Sequence, residues 1–306
     1  MPIPDDCRVA VVGATGLVGR ELVTILQTQG VTPIPASSPP ADCDICVLAT
    51  PEEVSRQCVA AAAGGRFVDM SSAFRADPAI PLVVPSLNAA ALRGAPAVVA
   101  SPNCTATMLA LAIAPFMRWG IERVEVTTCQ AASGGGEAAL ETLETQTRAA
   151  LRGDAIDAEP WAFNVFCHES PVDPVSGRSG EEQKVVDETR RILDRPELDI
   201  TPTCLRVPVR RAHVASVTLE LSEAITAEDA RGAIRPAEDL RLIDRRSAHA
   251  FPSTHSAEHG DTVDVGHIRV DARRISFITA GDQLRIGAAL NAARIVAAMC
   301  ADQEPQ

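Results

Sequence analysis

The chain opens on a β-branched run, "CRVAVV", passes into the glycines of "GATGLVG", and continues with helical spacing that puts Leu17, Leu22, Ile25 and Leu26 on one face. This succession predicts a strand, a tight turn and a helix. The alternation repeats through "DICVLAT", "PEEVSRQCVAAAAGG" and "RFVDMS", the order expected of a parallel sheet wrapped by helices. From about residue 121 the pattern changes. "IERVEVTTCQAAS", "TPTCLRVPV" and "VASVTLELS" read as longer strands with longer connections, which predicts a mixed, largely antiparallel sheet. The closing "GDQLRIGAALNAARIVAAMCA" is helical by period and is expected to return to the first domain. No internal repeat or low-complexity linker interrupts the series.

At 306 residues the chain exceeds one ordinary core, so two domains are expected. A net charge of −12 argues against a protein built to bind nucleic acid or an anionic membrane surface. The longest apolar stretch, near residues 106–117, falls short of the roughly 20 residues that cross a bilayer. The N-terminus enters a strand pattern with no room for a leader, so a cytoplasmic protein is expected. Nine cysteines, scattered through apolar segments, suit reduced thiols better than a disulfide framework. Cys43 and Cys46 form a CxxC, but they alternate with Asp42 and Asp44 in what reads as a strand, and no second pair follows. No metal site is expected.

Gly13, Gly16 and Gly19 stand at the first strand-to-helix turn, where glycine lets backbone amides approach a pyrophosphate at the positive end of a helix. Dinucleotide binding by this turn, with Thr15, Leu17 and Val18, is the expectation. The acidic residue that would hold a ribose 2′-hydroxyl should fall near "PIPASSPPAD", where Ser37 and Ser38 stand instead. The missing acid favours NADP, with NAD as the alternative. The expected fold class is α/β: a Rossmann-like nucleotide domain joined to a second, α+β domain on the mixed sheet.

Cys104, in "SPNCTATML", sits where a helix should begin, and unpaired amides there would stabilise a thiolate. His213, in "LRVPVRRAHVASV", is read as the end of a strand and a proton carrier. Arg206, placed on the same element, has a fork suited to a carboxylate. Gln130 ends a strand before a run of glycines. Together these suggest an oxidoreductase working through a thioester.

Ordered blocks from residue 8 to about residue 296 resemble the aspartate-semialdehyde dehydrogenase family: "GATGLVGRELV", "VDMSSAFRADPAIPLVVPSLN", "SPNCTATML", "CQAASGGGEAALETL", "FNVF", "SGEEQKVVDETRRIL", "CLRVPV" followed by a histidine, and "DQLRIGAALNAARI". The resemblance implies Cys104 as nucleophile, His213 as acid/base, Gln130 as positioner of the acyl intermediate and Arg206 as clamp on the substrate α-carboxylate. It also implies phosphate contacts from Arg75 and Lys184 with Asn103 beside them, and a contact of Glu181 with the substrate amine. Ser133, Gly134 and Gly135 match the loop near the nicotinamide, and Asn291 a cofactor contact.

The implied activity is reversible NADP-dependent reductive dephosphorylation of L-aspartyl-4-phosphate to L-aspartate 4-semialdehyde, in the biosynthesis of aspartate-family amino acids. Substrate and inorganic phosphate are the small-molecule partners, and a homodimer is implied. Residues 1–103 plus 283–306 would bind the dinucleotide, and residues 104–282 would carry catalysis and dimerisation. Two alternatives are a non-catalytic relative and a reductase of another acyl phosphate such as N-acetyl-γ-glutamyl phosphate. The chain departs from the family pattern in a shortened segment before "CDICVLAT", and at Ala212 and Val214, where glycine and serine or threonine are usual.

Overall fold

Four consecutive apolar residues leave no polar face for solvent, and in the computed structural model they form the fully buried strand β1 (Val9–Val12). The described residues are 3–4, 6–62, 64–157 and 160–301. Helix α1 (Leu17–Thr28) follows and buries Gly19, Leu22, Ile25 and Leu26, while Leu17 is half-buried. Strands β2 (Ile34–Ala36), β3 (Ile45–Leu48), β4 (Arg66–Asp69) and β5 (Val98–Ala100) complete a parallel sheet in the order β2-β1-β3-β4-β5. Helices α2 (Glu52–Ala61) and α3 (Pro85–Asn88) lie between its later strands. The order reverses at β1, so the crevice outside the carboxyl ends of β1 and β3 is the switch point where such sheets bind ligands. Cys43 is not part of a strand: β3 starts at Ile45, and the Cys43 thiol donates to the Pro40 carbonyl at 3.2 Å.

Helix α4 (Cys104–Ile113) is apolar except for Thr105 and Thr107, and residues 105–113 are all buried. Cys104 is its one half-buried residue.

The remaining strands form a seven-stranded sheet. In chain order its region holds β6 (Ile121–Gln130), α5 (Glu137–Arg152), β7 (Phe166–Cys167), α6 (Gly180–Ile192), β8 (Asp199–Arg206), β9 (His213–Leu221), α7 (Ala227–Ile234), β10 (Leu240–Leu242), α8 (Thr254–Ala257), β11 (Val263–Asp271) and β12 (Arg274–Gly281). The sheet order is β10-β11-β12-β9-β6-β8-β7. Pairs β6–β8 and β10–β11 are parallel and the other four antiparallel, so the sheet is mixed and largely antiparallel as expected. Along β6 and β8 one face is buried, through Val124, Val126, Ile200 and Cys204, and the other carries Thr127, Thr201 and Thr203 in the open.

Arg206 and His213 do not share an element. Arg206 ends β8 and His213 begins β9, and the two strands lie on opposite sides of β6. Pro208 cannot donate to a ladder, and Ala212 takes a left-handed backbone with φ of 66°, so the chain turns between them. Cys167 is exposed on the short edge strand β7.

The chain divides into two compact units, Met1–Thr107 with Arg191–Leu193 and Leu284–Gln306, and Met108–Arg190 with Asp194–Gln283. In the first, the final segment makes one wide turn at Arg285–Ala289 and continues as α9 (Leu290–Ala301), which packs on α1. Nη2 of Arg66 at the start of β4 donates to the Met299 carbonyl at 2.9 Å. Among the described residues no helix is long and apolar enough to cross a membrane.

Candidate active site

The carboxyl edge of the parallel sheet collects most of the first unit's candidate residues, because each of these follows the end of a strand; Asn291 comes from α9. The glycine turn comes after β1, Ser37 and Ser38 lie exposed after β2, Arg75 follows β4 and Cys104 follows β5. Gly13 has φ of 84°, and a Cβ there would lie 2.2 Å from the Ala49 carbonyl oxygen; a Cβ at Gly19 would lie 2.1 Å from that of Gly13. Protein packing therefore demands these two glycines. At Gly16 an added Cβ meets only the Gly13 oxygen, at 3.7 Å, so packing makes no such demand. Gly16 is the N-cap of α1 and supplies no side-chain cap. A cradle left open in front of helix amides fits a pyrophosphate approaching the backbone, which is the group a dinucleotide brings.

Cys104 begins α4, and the side-chain oxygen of Asn103 accepts from the amides of Thr105 at 2.8 Å and Ala106 at 3.2 Å. Asn103, read as a phosphate neighbour, thus caps the helix that presents the thiol. The preceding Ser101 is braced twice: its carbonyl accepts from Nε of Arg75 at 2.9 Å and its hydroxyl from Nδ2 of Asn291 at 3.0 Å. Arg75 also gives Nη2 to the Met70 carbonyl at 2.7 Å, and Asn291 donates to the Val83 carbonyl at 3.0 Å. Gly287 lies against the thiol residue, since a Cβ there would be 2.8 Å from the Cβ of Cys104.

In the second unit, strand register brings Gln130 level with Arg206, and His213 follows from the turn between β8 and β9. Nε2 of Gln130 donates to the buried Glu181 carboxylate at 3.2 Å, and Nζ of Lys184 lies 3.9 Å from that carboxylate. His213 is 4 % exposed. Its Nδ1 accepts the backbone N–H of Ala131 at 3.0 Å, which leaves the proton of a neutral ring on Nε2. That Nε2 is buried with no hydrogen-bond partner among the described residues. Burial first, and the charge of Arg206 second, push the imidazole down to about 3, so it is neutral at ordinary pH.

The glycine loop after β6 is tied to the turn that carries His213. The Ser133 hydroxyl donates to the Arg210 carbonyl and accepts from Nε2 of Gln283, both at 2.5 Å. Gly134 packs so closely that a Cβ would lie 3.0 Å from Nε2 of His213 and 3.1 Å from Nη1 of Arg206.

Two residues that sequence reasoning missed lie beside Arg206. Glu169 takes both Nε, at 2.8 Å, and Nη2, at 2.6 Å, of its guanidinium. Burial acts to raise the Glu169 carboxyl, but the bonds from Arg206 outweigh it and hold the group at about 2. His168, whose Nδ1 lies 3.1 Å from the Ser170 hydroxyl, is pushed down by burial and by the Arg206 charge. The Trp161 ring lies 5.4 Å from the guanidinium carbon. An acid paired with an arginine 37 residues away gives no periodic signal, and only the irregular chain after β7 brings it there.

The NAD binding domain of semialdehyde dehydrogenases matches residues 31–95, and their dimerisation domain matches residues 113–286. An aspartate-semialdehyde dehydrogenase of Synechocystis is 37 % identical over 96 % of this chain and 97 % of its own length. One of Prochlorococcus marinus is 34 % identical over 96 % of each. The crystal structure of aspartate semialdehyde dehydrogenase II from Vibrio cholerae, complexed with ASA, superposes with a TM-score of 0.90 at 29 % identity, covering 97 % of this chain and 99 % of that one. A thiol at a helix start, a histidine opening a strand and a glycine cradle thus occur in a chain that matches these enzymes nearly end to end, and the chain belongs to the aspartate-semialdehyde dehydrogenase family.

Proposed function

We propose that the protein interconverts L-aspartyl-4-phosphate and L-aspartate 4-semialdehyde through a thioester on Cys104. The observation that carries this reading is the thiol itself, the one half-buried residue of a helix otherwise wholly buried, at the end where amides favour an anion. In the biosynthetic direction the Cys104 sulfur attacks the acyl carbon, the C–O bond to phosphate breaks, and inorganic phosphate leaves toward Arg75 and Lys184. When bound, a nicotinamide dinucleotide would supply the hydride that reduces the thioester, or accept one in reverse. The thiohemiacetal oxyanion on Cys104 then collapses, its C–S bond breaks and the thiolate leaves the aldehyde. His213, neutral with its proton on Nε2, hydrogen-bonds the oxyanion that develops at the acyl carbon. Arg206 holds the α-carboxylate, Glu181 the amine, and Gln130 orients the acyl group.

NADP is the proposed dinucleotide, held by Gly13, Thr15, Gly16, Leu17 and Val18, with Ser133, Gly134 and Asn291 at the nicotinamide end. Neutral Ser37 and Ser38 beyond β2, where an acid would repel a 2′-phosphate, support that choice. The first unit is read as the dinucleotide-binding domain, and the second as the catalytic and dimerisation domain of a homodimer. The hydroxyl-rich face of β6 and β8, with Thr127, Thr201 and Thr203 exposed, supports the pairing surface.

The test is phosphate-dependent reduction of NADP, and separately of NAD, by the purified protein with L-aspartate semialdehyde. Turnover is expected with NADP, and Cys104→Ser is expected to lower it by roughly a thousandfold or more. Turnover unaffected by the substitution overturns the thioester, and activity with a different acyl phosphate alone overturns the substrate.

A further inference from the structure

Arg206 carries a positive charge on a side chain only 3 % exposed, and such a cation needs a counter-charge whether or not a ligand is bound. Glu169 supplies it. Its two carboxylate oxygens meet Nε and Nη2 of the guanidinium in the side-on, two-bond arrangement that an α-carboxylate would also adopt. The rest of the guanidinium is fixed by other groups: Nη1 points to the Ala131 carbonyl at 3.4 Å, and the Trp161 ring flanks it.

The two partners differ in freedom. Glu169 is 49 % exposed, so its carboxylate can exchange the arginine for water, whereas Arg206 is walled in. The carboxyl, held at about 2, is ionised at any working pH. We propose that Glu169 is a specificity-determining residue of this site, a carboxylate of the chain itself that occupies the arginine fork and competes with the α-carboxylate of the ligand. This rests on the reading of Arg206 as the carboxylate clamp. A ligand that brings an α-carboxylate displaces Glu169 into solvent; a ligand without one leaves the internal pair in place. Glu169 thus lowers the site's affinity for its ligand by the fraction of time the fork is filled.

Glu169→Gln keeps the side-chain shape and removes the charge. Calorimetric titration with L-aspartate, compared with β-alanine, isolates the fork, because β-alanine is the same molecule without the α-carboxylate. The substitution is expected to tighten L-aspartate binding by about tenfold and leave β-alanine unchanged. In turnover, KM for L-aspartate semialdehyde should fall by a similar factor with kcat within about twofold, the signature of altered uniform binding. Adding Arg206→Gln should erase the gain. A tightening of this kind is not produced by structural damage. Unchanged or weaker L-aspartate binding in Glu169→Gln, or a gain that survives loss of Arg206, overturns the proposal. Failure of the clamp reading looks different: Arg206→Gln alone would leave L-aspartate binding and KM untouched in the wild-type background.

Discussion

The backbone N–H of Ala131 donates to Nδ1 of His213 at 3.0 Å, and this bond decides which nitrogen of the ring can serve chemistry. With Nδ1 accepting, the neutral ring carries its proton on Nε2, the atom left without a partner among the described residues. Ala131 follows the last residue of β6 and His213 is the first of β9, so the hydrogen bond that sets the tautomer is a by-product of sheet order.

Burial of His213 also makes a stability prediction. The ring titrates at about 3 in the folded chain against the ordinary 6.5. Above 6.5 it is neutral in both states and contributes nothing. As pH falls from 6.5 toward 3 the unfolded chain takes up a proton that the folded chain refuses, so stability drops, by at most about 1.4 kcal/mol per pH unit from this group. His213→Asn removes the group, so its urea midpoint should fall less steeply than wild type across that window. Parallel midpoints for the two proteins would show that the buried ring is protonated as easily as a free one.

Gly287 sets the room available to Cys104. A methyl group at 287 would lie 2.8 Å from the Cβ of Cys104, closer than real contacts allow, and 3.3 Å from its Cα. Gly287→Ala is therefore expected to shift the thiol by a few tenths of an ångström or more. The cost should be about 1–3 kcal/mol of stability and roughly 10- to 100-fold in kcat. Turnover, together with the rate of iodoacetamide labelling at Cys104 read by mass spectrometry, checks it; wild-type values in both would show that the neighbouring turn yields instead.

The parallel sheet was legible because β1 and β3, buried on both faces, are unbroken apolar runs, and because two of the three glycines answer to steric demands inside the turn. Cys104 was legible because it starts a helix that is apolar except for Thr105 and Thr107. The split of residues 204–214 was not. Its apolar residues alternate across both β8 and β9, with Pro208 as the one local breaker, and the strand that separates them in the sheet comes more than seventy residues earlier in the chain. Glu169 was illegible for a related reason: its partner lies 37 residues away, and the acid sits in irregular chain where no period marks it. Asn103 and Asn291 carried chemistry in the sequence reading, and the structure adds hydrogen bonds that cap α4 and brace the chain ahead of it.

Ala212 holds a left-handed backbone, φ 66°, immediately before His213, while its amide donates to Oε1 of Gln283 at 3.0 Å. An alanine Cβ in that region crowds the carbonyl, a cost of about 1–2 kcal/mol that glycine does not bear. Glycine loses more backbone freedom on folding, which returns part of the gain. Ala212→Gly should thus stabilise the protein by about 0.5–1 kcal/mol, read as a higher urea midpoint at unchanged slope. The amide bond to Gln283 does not depend on the side chain, so the His213 ring should stay in place and KM should hold. A lower midpoint would mean that the buried Ala212 methyl, packed with Ala257 and Ala280, contributes more than its strained backbone costs.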